Sequence, residues 1–296
     1  MLFSSVFLTI ALGCAVISFA AGTFGAIVSL RARNLDADVL AHCTLPGLVL
    51  GLIFSQLLGF TEAPGSQILV IVCGVGAAGL ASLALSYFST QVTIKWALGN
   101  DIIQAVLLGL GFGLGLILLS LVQGYFPAQR SGLDRLLIGN AALLTSADVW
   151  IGCALSASLI MVGWLARRPI IAFLFDPQAW QVAGGRQWLV ETLYAAGLFV
   201  VTIICIRLVG AVLAVALLTM PYLIAKPWAS RGFAVLALTS GLAAAAGAVS
   251  GSWVSALSLG PEAQGLPTGP CIILALFIWL LVSHILFKVQ QHLRYG

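Results

Sequence analysis

The chain has 296 residues, of which 61% are hydrophobic and 7% charged, with a mean hydropathy of +1.13. A soluble domain carries roughly 25% charged residues, whereas this chain has only 13 Lys and Arg and 9 Asp and Glu to cover its surface. The composition excludes a soluble enzyme, a nucleic-acid binder, a disordered chain and a protein with a single membrane anchor, and leaves lipid as the solvent.

A bilayer-spanning helix takes about 20 apolar residues. Nine apolar segments can be read, at 3–30, 38–60, 66–90, 101–126, 147–165, 188–206, 208–225, 232–257 and 270–287. The expected fold class is therefore all-α, a polytopic membrane protein of about nine transmembrane helices. The range is eight to ten, because the sixth and seventh segments meet at Arg207 and the apolar piece 136–144 is short. The first segment is too long for a signal-peptide core and has no basic flank, so it reads as a span.

Basic residues orient such a chain, because they collect on the cytoplasmic side. With nine spans, ten of them (Arg31, Arg33, Lys95, Arg167, Arg168, Arg186, Lys226, Arg231, Lys288 and Arg294) fall on one side. Three (Arg130, Arg135 and Arg207) fall on the other. This predicts an outer N-terminus and a cytoplasmic C-terminus. The opposite loops 61–65 and 258–269 agree, since they carry Glu62 and Glu262 and no Lys or Arg.

Within the spans, most small and sulfur-containing residues read as packing. The six cysteines (14, 43, 73, 153, 205 and 271) form no CxxC pair and sit mostly in apolar runs, where Cys behaves as a small hydrophobe. Gly109, Gly111, Gly113 and Gly115 alternate, and Gly47/Gly51 and Gly247/Gly251 are small-xxx-small pairs that let helix backbones approach. The run Gly74 to Gly79 matches GxGxxG in form but sits in mid-span after no strand, so it reads as helix packing. No GxxxxGK[ST] occurs, so any ATP use needs another chain.

Ionisable groups within spans are costly and mark function. The second segment opens Asp38-Val39-Leu40-Ala41-His42-Cys43-Thr44-Leu45-Pro46-Gly47. Asp38 and His42 are four apart and share a helix face. A carboxylate oxygen beside an imidazole nitrogen suits a borderline divalent cation such as Zn²⁺ or Mn²⁺; the alternative is a structural Asp–His hydrogen bond. Pro46 removes a backbone bond near the pair and is expected to bend the helix there. Pro221 breaks the seventh segment, which ends at Lys226-Pro227-Trp228. Asn100 and Asp101 read as a helix cap. Glu191 is placed to pair with Arg186 or to snorkel, and His284 reads as a packed side chain. Between the fifth and sixth segments lies 166–187. There Asp176-Pro177 reads as an N-cap followed by Pro at the first helical position, and Gly184-Gly185 as the stop. This short helix is either a docking element or an interfacial helix lying on headgroups.

Five stretches in order resemble the zinc/manganese/iron ABC importer permeases, the ABC-3 family. Arg31-Ala32-Arg33 followed by Asp38 to Gly47 resembles the family's GDALSHAVLPG signature. Leu133 to Asn140 is similar to YLFGN, and Phe175-Asp176-Pro177-Gln178 to FDPE. Val209 to Pro221 is similar to VGVLL…LLxxP, and Leu266 to Pro270 to LPxGP. The likeness spans nearly the whole chain. It implies a single transmembrane permease domain over 1–296, with a type II-like importer fold, in a bacterial plasma (inner) membrane. Such a chain is a transporter subunit with no enzymatic activity of its own. Two permease copies, or one and a paralogue, would enclose the path, and a cytoplasmic ABC ATPase dimer would drive alternating access. An extracytoplasmic binding protein would deliver Zn²⁺ or Mn²⁺, with Fe²⁺ a further candidate, and no cofactor would be bound permanently. Asp38 and His42 would lie on the path, joined by Cys43 if it faces inward, with Pro46 and Pro221 as helix breaks beside it. Residues 166–187 would form the coupling segment, with Phe175, Asp176, Pro177 and Gln178 meeting the ATPase.

The sequence departs from the pattern at Ala37, Cys43 and Gln178, where the family has Gly, a small residue and Glu. Cys43 is turned about 100° from His42. Gln178 removes a charge from the docking point. Competing readings are a permease for iron chelates or cobalamin, and a secondary metal carrier.

Overall fold

The computed structural model describes residues 5–31, 35–57, 73, 76–77, 79–80, 100–125, 146–209, 211–229, 232–256 and 266–295. They form ten helices: α1 (Ser5–Leu30), α2 (Asp36–Leu57), α3 (Asn100–Tyr125), α4 (Ser146–Leu165), α5 (Arg167–Phe175), α6 (Pro177–Val182), α7 (Gln187–Val209), α8 (Ala211–Ala225), α9 (Phe233–Ala256) and α10 (Thr268–Tyr295). Residues 73, 76–77 and 79–80, inside the third apolar segment, are also helical. The rest of that segment lies outside the described residues. So do the apolar piece 136–144, the stretch 133–140, the loops 61–65 and 258–265, and Arg33, Lys95, Arg130, Arg135 and Arg231.

Eight of the nine apolar segments coincide with a traced helix, as lipid requires of a backbone that must satisfy its own hydrogen bonds. Five of these helices (α1, α3, α7, α9 and α10) are long and apolar enough to cross a membrane. A sixth crossing arises if α4 and α5, bent by 65° at Ala166, act as one. Although the sixth and seventh segments adjoin, α7 runs through Arg207 to Val209 and α8 starts at Ala211. The seventh ends where the Lys-Pro-Trp sequence said it would, in a turn over 226–228.

α1 is the centre of the bundle, flanked by α4, α7, α8 and α9. Its fit depends on residues without side chains. A Cβ on Gly25 would overlap the Leu218 backbone of α8, and one on Gly22 would stand 2.6 Å from the Ser240 carbonyl of α9. The pair Gly247/Gly251 does the same for α9 against Leu276 and Ile272 of α10. In the alternating run of α3 only half the glycines serve this purpose. Gly111 and Gly115 face Cys43 and Leu45 of α2, whereas Gly109 and Gly113 meet nothing among the described residues. Close approach of this kind maximises dispersion contacts where no hydrophobic drive separates helix from lipid.

The segment after α4 differs from the expected loop with one short helix. Residues 167–175 are themselves helical. Pro169 lacks the N–H that Leu165 would accept from, which permits the 65° break. α6 begins and ends as its sequence predicts. The Ala179 N–H donates to Asp176 Oδ1 at 2.9 Å, an N-cap bond, with Pro177 at the first helical position. At the far end Gly184 has φ +81°. Its N–H donates to the Gln181 carbonyl at 3.0 Å, and the Gly185 N–H to the Trp180 carbonyl at 2.9 Å. This is the paired Schellman closure. Gly185 also lies under the Trp180 indole, where a Cβ would clash.

Candidate functional site

The first turn of α2 carries Asp36 and Asp38, both favoured there by the positive end of the helix dipole. Asp38 Oδ1 lies 3.3 Å from His42 Nε2, one turn on. The two side chains are 27% and 17% exposed, so the pair is open on one side. The ring of Phe112 on α3 meets the imidazole edge-on, with centroids 4.9 Å apart. Metal–ligand bonds of about 2.1 Å at a tetrahedral angle separate two donors by about 3.4 Å. The observed 3.3 Å separation therefore spans one edge of a coordination polyhedron without rearrangement.

The neighbours of the pair divide into those turned toward it and those used elsewhere. α2 continues through Pro46. Proline has no N–H to give the carbonyl four residues back, so the His42 carbonyl lacks its helical donor. Pro221 does the same for Leu217 inside α8. Cys43 faces α3: its thiol donates to the Leu107 carbonyl at 3.8 Å and fills the space above Gly111. Among the described residues no three His, Cys, Asp or Glu side chains form a metal-sized group. The side chains of Asn100 and Asp101 lie outside the description, although α3 begins at Asn100.

A second polar cluster, not singled out in the sequence, lies on the other face of α2. Asp36 is 3% exposed. Gln104 Nε2 of α3 donates to its Oδ1, and the Tyr194 hydroxyl of α7 donates to its Oδ2 at 3.1 Å. The Tyr194 ring carries the Arg31 guanidinium at 4.2 Å, and Arg31 Nη2 donates to Glu191 Oε1 at 2.6 Å. Glu191 thus pairs with Arg31, 160 residues away in sequence, where sequence proximity had offered Arg186. Phe173 of α5 lies under the same guanidinium at 5.3 Å and is buried. Rather than packing among the described residues of the bundle, His284 is exposed, and its Nδ1 lies 3.1 Å from the Leu280 carbonyl of its own helix.

The proposed docking residues lie at the junction of α5 and α6. Asp176 is the extended residue between the two helices, closing one and capping the other. Phe175 is 79% exposed, and Val182 at the end of α6 is exposed as well. The side chains of Pro177 and Gln178 lie outside the description.

A bundle of apolar helices, five of them long enough to cross a membrane, with the Asp38–His42 pair in the first turns of α2, is the architecture of a multi-span membrane protein. The chain belongs to the ABC 3 transport family, whose model matches residues 4–287. It is similar to the zinc transport system membrane protein TroC of Treponema pallidum (strain Nichols), with 29% identity over 93% of this chain and 86% of that one. It is also similar to the manganese import system permease protein ScaB of Streptococcus parasanguinis, with 27% identity over 93% and 88%. Among solved structures, PsaBC from Streptococcus pneumoniae in complex with Fab shares the fold. Its TM-score is 0.72 at 21% identity, covering 95% of this chain and 91% of that one.

Proposed function

We propose that the chain is the permease subunit of an ATP-driven importer of zinc or manganese ions, and that Asp38 and His42 hold the ion in transit. The observation that carries this reading is the Asp38–His42 separation of 3.3 Å on an open face of α2. The relatives named for zinc and manganese support the cargo, and the proposal is confined to those two. In this conformation the Cys43 thiol is used in helix packing, so the pair offers one oxygen and one nitrogen, a set that both metals accept. Two donors leave coordination positions for water or for a second permease copy. Such a partial shell holds an ion weakly enough to release it, as transport demands.

Nine spans follow if α2, α4, α8 and the third apolar segment join the five apolar helices, with α5 left on the cytoplasmic side. The N-terminus is then outside and the C-terminus cytoplasmic, on the charge bias of the loops. Residues 1–296 act as one permease domain in the bacterial inner membrane, and 166–187 couple it to a separate ATPase dimer. An extracytoplasmic binding protein delivers the ion while the inner end is closed. Closure of the ATPases moves the α5–α6 junction through Phe175, Asp176, Pro177 and Gln178, and α2 turns the pair inward. Pro46 and Pro221 lower the cost of bending α2 and α8, since each helix already lacks one internal bond at that point.

The test is metal uptake by the reconstituted permease–ATPase complex. Asp38→Ala and His42→Ala should each abolish uptake of Zn²⁺ or Mn²⁺ while the complex still assembles. Full uptake in both variants would overturn the assignment of the site.

A further inference from the structure

Asp36, Tyr194, Arg31 and Phe173 form a continuous line of contacts from the first residue of α2 to α5. The Tyr194 hydroxyl donates to Asp36 Oδ2 at 3.1 Å, and its ring faces the Arg31 guanidinium at 4.2 Å. Arg31 is fixed by Glu191 at 2.6 Å and rests on Phe173 at 5.3 Å. α5 and α6 share Asp176 as stop and cap, so displacement of α6 is passed to α5. At the other end Asp36 is two residues before Asp38 on an unbroken helix.

We infer that this line is a positioning relay, through which movement of the docking junction re-orients α2 and therefore the Asp38–His42 pair. The inference rests on the reading of that pair as the cargo site. Three features favour a moving relay over a static brace. The links join separate elements, Tyr194 of α7 to Asp36 of α2 and Arg31, just after α1, to Phe173 of α5, so the line crosses from one helix to the next at polar and aromatic contacts. The carboxylate of Asp36 accepts from α3 and α7 at once, so α2 cannot turn at this end without changing both bonds. The line also borders an apolar cavity of about 320 Å³ lined by Phe24, Ile27, Arg31, Phe173, Tyr194 and Gly197 among others, which leaves α5 room to swing. Tyr194 and Phe173 are thus positioning residues that do not touch the ion.

The experiment uses the reconstituted permease–ATPase complex with Zn²⁺ and with Mn²⁺. It reads three quantities: metal bound without ATP, ATP hydrolysed, and ions moved per ATP. Tyr194→Phe removes only the hydroxyl that reaches Asp36, and Phe173→Leu keeps an apolar side chain but removes the ring under Arg31. Both should leave metal binding and basal hydrolysis within about twofold, and lower ions moved per ATP by about fivefold, roughly 1 kcal/mol of coupling. The agreement matters because the two residues lie on either side of Arg31 in the line. An unchanged ratio in both variants, with Asp38→Ala inactive, overturns the relay and leaves the cargo site standing. Loss of metal binding in parallel with hydrolysis also overturns it, because that pattern is a structural brace. Full uptake in Asp38→Ala removes the cargo site, and the relay with it.

Discussion

Asp36 and Asp38 are the same residue type, two positions apart on one helix, and they live in opposite environments. Two residues turn a helix by about 200°, so one carboxylate faces the bundle and the other the open side. Asp36 is 3% exposed and both its oxygens accept hydrogen bonds, from Gln104 and Tyr194. The side chain of Asp38 is 27% exposed, and its partner among the described residues is His42 at 3.3 Å. A carboxylate with both oxygens satisfied by fixed donors is a fastener. One with spare coordination capacity beside an imidazole can take a cation. Charge in a span marks function in either case; the number of satisfied oxygens says which function.

The buried side depends most on the ion pair behind it. Glu191→Ala would remove the carboxylate paired with the nearly buried Arg31 guanidinium, a change that costs about 3–5 kcal/mol. It should give the largest loss of thermal stability in detergent, followed by intrinsic tryptophan fluorescence, and Glu191→Gln a smaller one. Wild-type stability in Glu191→Ala would show that the buried side is not held from Arg31. Next, Asp36→Ala strands two buried donors and should cost about 2–3 kcal/mol, against less than about 1 kcal/mol for Asp38→Ala in the same assay. Equal losses would erase the distinction between fastener and site.

On the open side the leading contact is steric. A Cβ on Gly111 would stand 2.5 Å from Cys43 Sγ. Gly111→Ala should therefore push α3 from α2 at a cost of about 1–2 kcal/mol, and Cys43→Ala should restore most of it. The same pair of variants separates packing from ligation. If Cys43→Ala alone leaves metal uptake near wild type, the thiol serves the helix interface. Loss of uptake on that change with stability intact would place the thiol on the path.

Local rules made most of the fold readable. Apolar runs long enough to span lipid predicted eight traced helices, and Asp-Pro and Gly-Gly marked both ends of α6, because caps are decided within a few residues. The i, i+4 spacing of Asp38 and His42 likewise fixed their proximity as soon as α2 was helical. What the sequence concealed is long-range. Asp36 finds Gln104 and Tyr194, 68 and 158 residues away, and Arg31 finds Glu191, 160 away. No spacing rule reaches that far. A signal did exist: Asp36, Gln104 and Glu191 are polar residues at the ends of apolar runs, where an unpaired group is costly. The helix α5 was hidden by Arg167-Arg168-Pro169, which reads as a loop although Pro is tolerated in a first helical turn.

The smallest effect is expected at the junction between docking segment and bundle. Asp176 closes α5 and caps α6 through the 2.9 Å bond from the Ala179 N–H. It is exposed, so its loss barely touches the core. Asp176→Ala should cost α6 about 1 kcal/mol, and Asp176→Asn, a comparable cap, only a few tenths. Global unfolding should move little in either case, because α6 is six residues long and its Val182 end lies in the open. The effect belongs in ATPase affinity. A frayed α6 must be ordered on docking, and 1 kcal/mol of ordering weakens binding about fivefold. Detergent-solubilised permease titrated with the ATPase subunit should show that loss for Asp176→Ala and recovery for Asp176→Asn. Equal weakening by both would mean that the carboxylate itself meets the partner and that the cap is incidental. Unchanged affinity in both would move the docking surface away from the α5–α6 junction.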